Sequence, residues 1–332
     1  MKKFLIIQTA FIGDVILATP LLENLHAAYP NAQIDFLLRK GNEALLTNHP
    51  LIHHLFIWDK KKNKYKNLWQ IFKQVRAEQY DAVINVQRFF ATGIITAFSG
   101  AAYTIGFSKN PLSILFTKKI KHVIGTAKNP LHEVERNHAL LQDFVSESAA
   151  PVKLYPSEKD YADTAPFKSK TYYTISPASV WFTKQWPIVK WVELIHSLPK
   201  DVQIYLLGGP DDKELANGII KLSEHKHIEN LCGRFHLLGS AALMKDAQMN
   251  FVNDSAPMHL ASAMNAPVTA FYCSTMPYFG FGPRSSIQFI AEVKENLSCR
   301  PCGLHGKKAC PLKHFNCAYE IDVNALIRKV IE

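Results

Sequence analysis

Asp254 and Ser255 stand where the short apolar run Met249 to Val252 gives way to a helical stripe, opened by Pro257 and carried by Met258, Leu260, Ala261 and Met264. An acid and a hydroxyl on such a turn can meet a phosphate, because the first N–H groups of the following helix favour anions. The same residue types also cap helices, so the turn is either a ligand loop or a cap. At the other end of the chain, Gln8-Thr9-Ala10-Phe11-Ile12-Gly13-Asp14 repeats the arrangement after the run Phe4 to Ile7. Gly13 there permits a tight or left-handed backbone. Asp14 is either an N-cap or a general base, and an aspartate with a pKa of about 3.9 is charged at neutral pH. A helix N-terminus would hold it in that state.

Two further turns carry polar groups. Ser176 to Ser179 ends a run from Tyr172 and precedes Trp181-Phe182-Thr183-Lys184-Gln185-Trp186-Pro187. Small hydroxyls such as Ser179 and a single cation, Lys184, suit a diphosphate, although a lone lysine is also an ordinary solvated side chain. In Leu206-Leu207-Gly208-Gly209-Pro210-Asp211, Gly209 and its neighbour allow close backbone approach, and Asp211 can accept from ribose hydroxyls or merely cap.

These turns need a scaffold of alternating strands and helices. The first half is expected to run as strand Phe4–Gln8, a helix from about Asp14 to Ala28, strands at Ile34–Leu38 and Leu55–Trp58, a helix at Tyr65–Glu78 and a strand from Ala82 to Val86. The second half repeats the pattern at Tyr172–Ser176, Val202–Leu207, Ile228–Leu231, Met249–Val252 and Val268–Tyr272. Such alternation indicates an α/β fold of parallel sheets with helices on both faces. Between the halves, Ala149 to Lys170 is rich in proline and lysine, and Pro151, Pro156 and Pro166 are expected to break any regular element there. Ile321 to Ile331 reads as a terminal helix.

With 332 residues and 48% hydrophobic content, the chain suits two domains. No apolar run approaches the roughly 20 residues that span a bilayer, and Met1-Lys2-Lys3 opens no signal peptide, so a cytoplasmic location is expected. A net charge of +10 calls for an acidic partner. Without an arginine-rich arm, an aromatic RNA-binding signature or a helix-turn-helix, nucleic acid is not the expected one. Lys60-Lys61-Lys62, Lys64 and Lys66 form one basic cluster, and Lys118, Lys119 and Lys121 another. Each is either a solvated face or a surface for anionic lipid at the inner membrane. Four of the six cysteines, Cys299, Cys302, Cys310 and Cys317, crowd one segment with His305 and His314 interleaved. Zinc, disulfides and reduced structural thiols are its three readings, and a structural zinc is not the favoured one. Cys232 and Cys273 read as core.

Taken in order, the Gly13-Asp14 loop, Tyr80 to Gln87, His132-Glu133-Val134-Glu135-Arg136-Asn137, Lys184-Gln185-Trp186-Pro187 and Asn253-Asp254-Ser255 through His259-Leu260-Ala261 resemble glycosyltransferase family 9. The resemblance implies a GT-B architecture, two Rossmann-like doubly wound domains facing across a cleft. It places an acceptor-binding domain at 1–160, a nucleotide-sugar-binding domain at 161–318 and a final helix at 319–332 crossing back toward the first domain. It implies an inverting, metal-independent transfer, with heptose from ADP-heptose as the expected donor and no cofactor. The acceptor would be a lipid-linked, anionic lipopolysaccharide-core or related glycan, met at the cytoplasmic face of the inner membrane. Asp14 matches the family's base and Lys184 its donor-phosphate lysine. Asp254, Ser255 and His259 match the donor loop and its helix, Asp211 the ribose contact and Phe235 the apolar contact to the base. Ala256 departs from the glycine usual after the Asp-Ser pair, and its methyl group narrows the approach of phosphate. Thr9, Gly13, Lys61, Lys64, Arg88 and Lys119 are the candidates for acceptor binding. The rival functions are a sugar-nucleotide epimerase or hydrolase on the same fold and a non-catalytic sugar-nucleotide-binding protein.

Overall fold

The computed structural model describes residues 1–331. The chain divides into two compact units, Met1–Tyr155 and the residues from Pro156 on. In the first unit, six strands pair in parallel in the order β3-β2-β1-β4-β5-β6: β1 Lys3–Ile7, β2 Gln33–Arg39, β3 His54–Trp58, β4 Ala82–Asn85, β5 Tyr103–Phe107 and β6 Lys118–Ile120. The second unit repeats this as β12-β11-β10-β7-β8-β9: β7 Tyr172–Ser176, β8 Gln203–Leu206, β9 Ile228–Asn230, β10 Met249–Asn253, β11 Val268–Tyr272 and β12 Gln288–Glu292. Both are doubly wound α/β sheets of the order that opens a crevice where the winding reverses. The central strands are buried along nearly their whole length, because helices cover both faces. The edge strands β3, β6, β9 and β12 keep exposed positions.

The second unit's core forms around Trp186, whose ring stacks on Phe271 at 4.0 Å and meets Trp191 edge-on at 4.9 Å. Its indole N–H donates to the carbonyl of Ala318 at 2.9 Å, so this ring's one polar atom is paired despite burial.

Two expectations about local elements are corrected. The helix expected from Asp14 is two helices, Ile12–Ile16 and Thr19–Ala28. Pro20 has no N–H to give the Ile16 carbonyl, and the Thr19 hydroxyl donates to it instead at 2.8 Å. The segment read as irregular contains the helix Glu158–Thr164, whose Ser157 and Asp160 form a reciprocal capping box. Pro156 and Pro166 flank that helix rather than break it. The division between the two units falls before Pro156, inside the segment from Ala149 to Lys170. The terminal helix Val323–Ile331 packs on the helix Ile188–Ser197, with Val323 and Leu326 buried in the second unit's own core, where its apolar stripe finds a partner. Of the expected segment 319–332, Glu332 lies outside the described residues.

Replacing Trp186 by alanine removes this stacked core and strands a carbonyl. The expected loss is about 3–5 kcal/mol in the second unit, measured as an earlier, separate transition in urea followed by far-UV circular dichroism.

Candidate active site

In the second sheet the winding reverses between β7 and β10. The loops leaving their carboxyl ends therefore diverge and face a common gap. Lys184 comes from one loop and Asp254 from the other, and their Nζ and Oδ2 atoms lie 2.7 Å apart. Thr275, following β11, donates its hydroxyl to the same carboxylate oxygen at 2.6 Å. Asp254 is buried, and a cation and a hydroxyl meet its carboxylate there.

The neighbouring residues hold this pair in place. Asn253 at the end of β10 accepts the Trp186 N–H at 3.0 Å and donates to the Pro177 carbonyl at 2.7 Å, tying both loops to one amide. Gln185 donates to the Ser179 carbonyl at 2.6 Å, so Ser179 contributes backbone to the loop. Thr183 accepts from the Ser274 hydroxyl at 2.9 Å and from the Lys307 N–H at 2.7 Å. Gly306 lies so close that a Cβ there would meet Lys184 Cγ at 3.0 Å.

Neither Asp254 nor Ser255 caps the helix Ala256–Ala263. The Ser255 backbone is fully extended and its hydroxyl turns back toward the Asn253 carbonyl at 3.4 Å. Pro257 has no N–H, and the helix Ala256–Ala263 begins two residues after Asp254, with no side-chain cap on its first N–H groups. Ser255 and Ala256 are half-buried, and His259 is buried one turn further on.

At the end of β8 the turn is closed by the residue after Asp211. Asp212 accepts the Gly209 N–H at 2.7 Å and closes the turn, while Asp211 stays exposed beside it. Neither glycine is left-handed; a Cβ on Gly208 would meet Asp212 at 2.8 Å and Cys232 at 3.0 Å, so its bareness serves the protein's own packing. Phe235 is half-buried and packs edge-on to Phe167 at 5.5 Å.

In the first sheet the winding reverses between β1 and β4, which places the loop Gln8 to Asp14 at the corresponding edge. Gln87 reaches Gln8, and Asn42 donates to the Ala10 carbonyl at 2.7 Å. Lys60 donates to both the carbonyl and the hydroxyl of buried Thr9 at 3.0 Å. Gly13 lies within the helix Ile12–Ile16 and is not left-handed, which corrects the expected conformation. Asp14 belongs to the first turn of that helix, whose N-cap is Phe11, so it is not the cap. Burial pushes its carboxyl up to about 6, the Glu133 carboxylate adds to the rise, and the backbone N–H groups of Asp14 and Phe11 together with Arg39 oppose it. The expected ordinary acidity is thereby corrected.

Glu133 itself is held charged. Burial works against its ionisation, but His122 and Arg136 outweigh it, and Arg136 Nε lies 2.6 Å from the Glu133 carboxylate. Asn137, one residue on, donates to the Leu17 carbonyl at 3.2 Å and fixes this helix against the segment after Asp14.

Of the basic candidates, Lys61, Lys64, Arg88 and Lys119 are exposed. Lys60, passed over in the sequence, is the lysine that turns inward, and burial with the nearby Arg39 and Lys64 charges pushes it down to about 8. Only its neighbour relations in the fold distinguish it from Lys61.

Cys299, Cys302, Cys310 and Cys317 line one cavity of about 430 Å³ with His314, and none is disulfide-bonded. Among the described residues, no three His, Cys, Asp or Glu side chains are gathered closely enough to hold a metal ion. Cys232 and Cys273 are core residues, as expected.

Residues 68–313 match glycosyltransferase family 9 (heptosyltransferase). The lipopolysaccharide heptosyltransferase 3 of Escherichia coli is 27% identical over 283 residues, 80% of this chain and 82% of its own. The lipopolysaccharide core heptosyltransferase OpsX of Haemophilus influenzae is 24% identical over 339 aligned positions, 98% of this chain and 95% of its own. The solved structure of the E. coli heptosyltransferase WaaC with ADP-2-deoxy-2-fluoro heptose superposes with a TM-score of 0.75 at 19% identity, over 99% of each chain, a likeness of fold.

A carboxyl whose folded pKa is raised contributes stability below its unfolded pKa and loses it as pH rises through about 6. Asp14→Asn should therefore be more stable than the parent at pH 8, by roughly 2 kcal/mol after allowance for partial exposure, and the difference should vanish near pH 4. Paired thermal melts across that range check the sign.

Proposed function

The chain belongs to glycosyltransferase family 9, the heptosyltransferases, and on that premise we propose that it transfers heptose from ADP-heptose to a lipopolysaccharide-core or related lipid-linked glycan. In this reading the transfer inverts the anomeric centre, needs no metal ion and takes place at the cytoplasmic membrane face. The names of the relatives support the donor and the acceptor class. The observation that carries the reading is the Lys184–Asp254 pair at the reversal of the second sheet, beside the open end of the helix Ala256–Ala263.

The second unit then binds the donor. Lys184 meets the diphosphate as a point charge, with the Ala256 N–H and Ser255 beside it, while Asp254 and Thr275 hold the lysine ready. Asp211 is free of the turn-closing role that Asp212 fills and takes the ribose hydroxyls, and Phe235 meets the adenine. Ala256 makes the phosphate approach tighter than a glycine would.

The first unit takes the acceptor, through Thr9, Gly13, Lys61, Lys64, Arg88 and Lys119, to which the geometry around Thr9 adds Lys60. Asp14 accepts the proton of the acceptor hydroxyl as its oxygen attacks the anomeric carbon from the face opposite the nucleotide. The carbon–oxygen bond to the diphosphate breaks, and its electron pair leaves with ADP. Lys184 and the helix end stabilise that growing negative charge, the task a divalent cation would otherwise perform. A carboxylate pKa of about 6 suits the base: it is ionised at neutral pH yet more basic than an exposed aspartate.

The test is release of ADP from ADP-heptose with and without a deacylated core acceptor. Acceptor-dependent release that survives EDTA is expected; acceptor-independent release would make the protein a hydrolase. Asp14→Ala should lower turnover about 10²–10⁴-fold, and Lys184→Ala about 10²–10³-fold. In the parent enzyme, kcat/KM should fall tenfold per pH unit below about 6. An Asp14→Ala enzyme with intact rates would overturn the assignment of the base.

A further inference from the structure

The connection after β4 and the connection after β5 are locked together by one buried amide. Asn110 donates to the carbonyls of Gln87 and Phe89 at 3.0 and 3.1 Å and accepts the Leu112 N–H at 3.0 Å. Gly93 closes the joint, since a Cβ there would overlap Asn110. The short turn Ser113–Leu115 consequently packs beside the helix Phe90–Ala97. This rigid joint carries four large apolar side chains outward: Phe89 is 50% exposed, Phe90 57%, Ile114 79% and Leu115 53%. Isolated exposed apolar residues are ordinary, but four on two tethered loops make a patch that calls for a partner.

The surroundings identify that partner by charge. Residues 1–155 contain nineteen Lys and Arg against eleven Asp and Glu, whereas the rest of the chain has nineteen against seventeen. Nearly the whole excess of the protein thus lies in this unit. Arg88, Lys109 and Lys121 are exposed just beyond the carboxyl ends of β4, β5 and β6, and Lys61, Lys62 and Lys64 beyond that of β3 at the other edge of the same sheet end. The Arg88 guanidinium lies over the Phe89 ring at 5.9 Å. Aromatic and aliphatic side chains interleaved with cations match a membrane interface, where rings enter the acyl boundary and cations meet headgroup phosphates. A protein partner of ordinary composition would not need so one-sided a charge.

We propose that Phe89, Phe90, Ile114 and Leu115 form a wedge that inserts into an anionic lipid bilayer, with the cations of the same sheet end on its headgroups. The inference rests on the lipid-linked acceptor of the proposed function and names the surface through which the enzyme reaches it.

The test is co-sedimentation of the full chain with phosphatidylcholine vesicles, with and without phosphatidylglycerol. Vesicles free of acceptor keep this readout separate from transfer. The parent should bind the anionic vesicles, release them as salt rises and ignore the neutral ones. The variant Phe89→Ser/Phe90→Ser/Ile114→Ser/Leu115→Ser should lose roughly tenfold or more in partitioning, with an unchanged melting temperature and unchanged turnover of a deacylated acceptor. Equal binding by parent and variant would overturn the wedge. So would a lipid-free, concentration-dependent dimer that the variant abolishes, since the patch would then be covered by a second copy. Loss of vesicle binding in the variant supports the wedge even where neither protein transfers heptose, a result that would overturn the donor and acceptor assignment alone.

Discussion

Lys184 and Asp254 bring opposite charges within 2.7 Å at the carboxyl ends of adjacent parallel strands. Charges in such a place cost several kcal/mol to desolvate and are kept only when their partners are well placed. Much of the second unit's polar detail follows from that requirement. Thr275 takes up a second lone pair of Asp254, Asn253 fixes the two loops to each other, and Trp186 anchors the lysine loop in the core. The arrangement leaves one cation facing a gap that also receives an uncapped helix end. In the proposed function, a diphosphate brought there exchanges water for charge partners already in position, with little reorganisation.

The first unit uses burial in the opposite sense. Asp14 has no such cation against it, and desolvation with the neighbouring Glu133 charge keeps its proton affinity high. Glu133 bears the pairing instead, through Arg136 and His122. The same sheet order thus presents a paired cation in one unit and a carboxyl of raised pKa in the other, which the proposed function puts to use as donor-phosphate contact and base. In the proposed transfer, stability given up at Asp14 is the usual cost of a reactive group.

The central strands were readable because burial on both faces leaves continuous apolar runs, as in Phe4 to Ile7 and Val268 to Tyr272. The strands β5, β6 and β12 were not. Gly106 interrupts β5 because the Phe116 ring and the Asn85 carbonyl fill the space of its side chain, β6 has only three residues, two of them lysines, and β12 is a half-exposed edge. Helix breaks escaped for a related reason: Pro20 is compatible with a helix start, and only the Thr19 hydroxyl bound to Ile16 shows that one helix has ended there. Among the site residues, Lys60 and Asp212 were missed because each stands beside a residue of the same charge, and nothing local tells which of the two turns inward.

By itself the sequence determined the α/β class, the two-unit division, the strand-end turns that bear Asp14, Lys184, Asp211 and Asp254, and the family those turns resemble. These are properties of periodicity and of short, ordered motifs, which the chain carries regardless of how it packs. The tertiary structure decided what each polar group does. It paired Lys184 with Asp254, left the helix after Ser255 without a side-chain cap, raised the pKa of Asp14 toward neutrality and turned Lys60 onto Thr9. Those outcomes depend on desolvation and on partners up to a hundred or more residues away, as Glu133 is from Asp14, and such terms exist only once the sheets have formed.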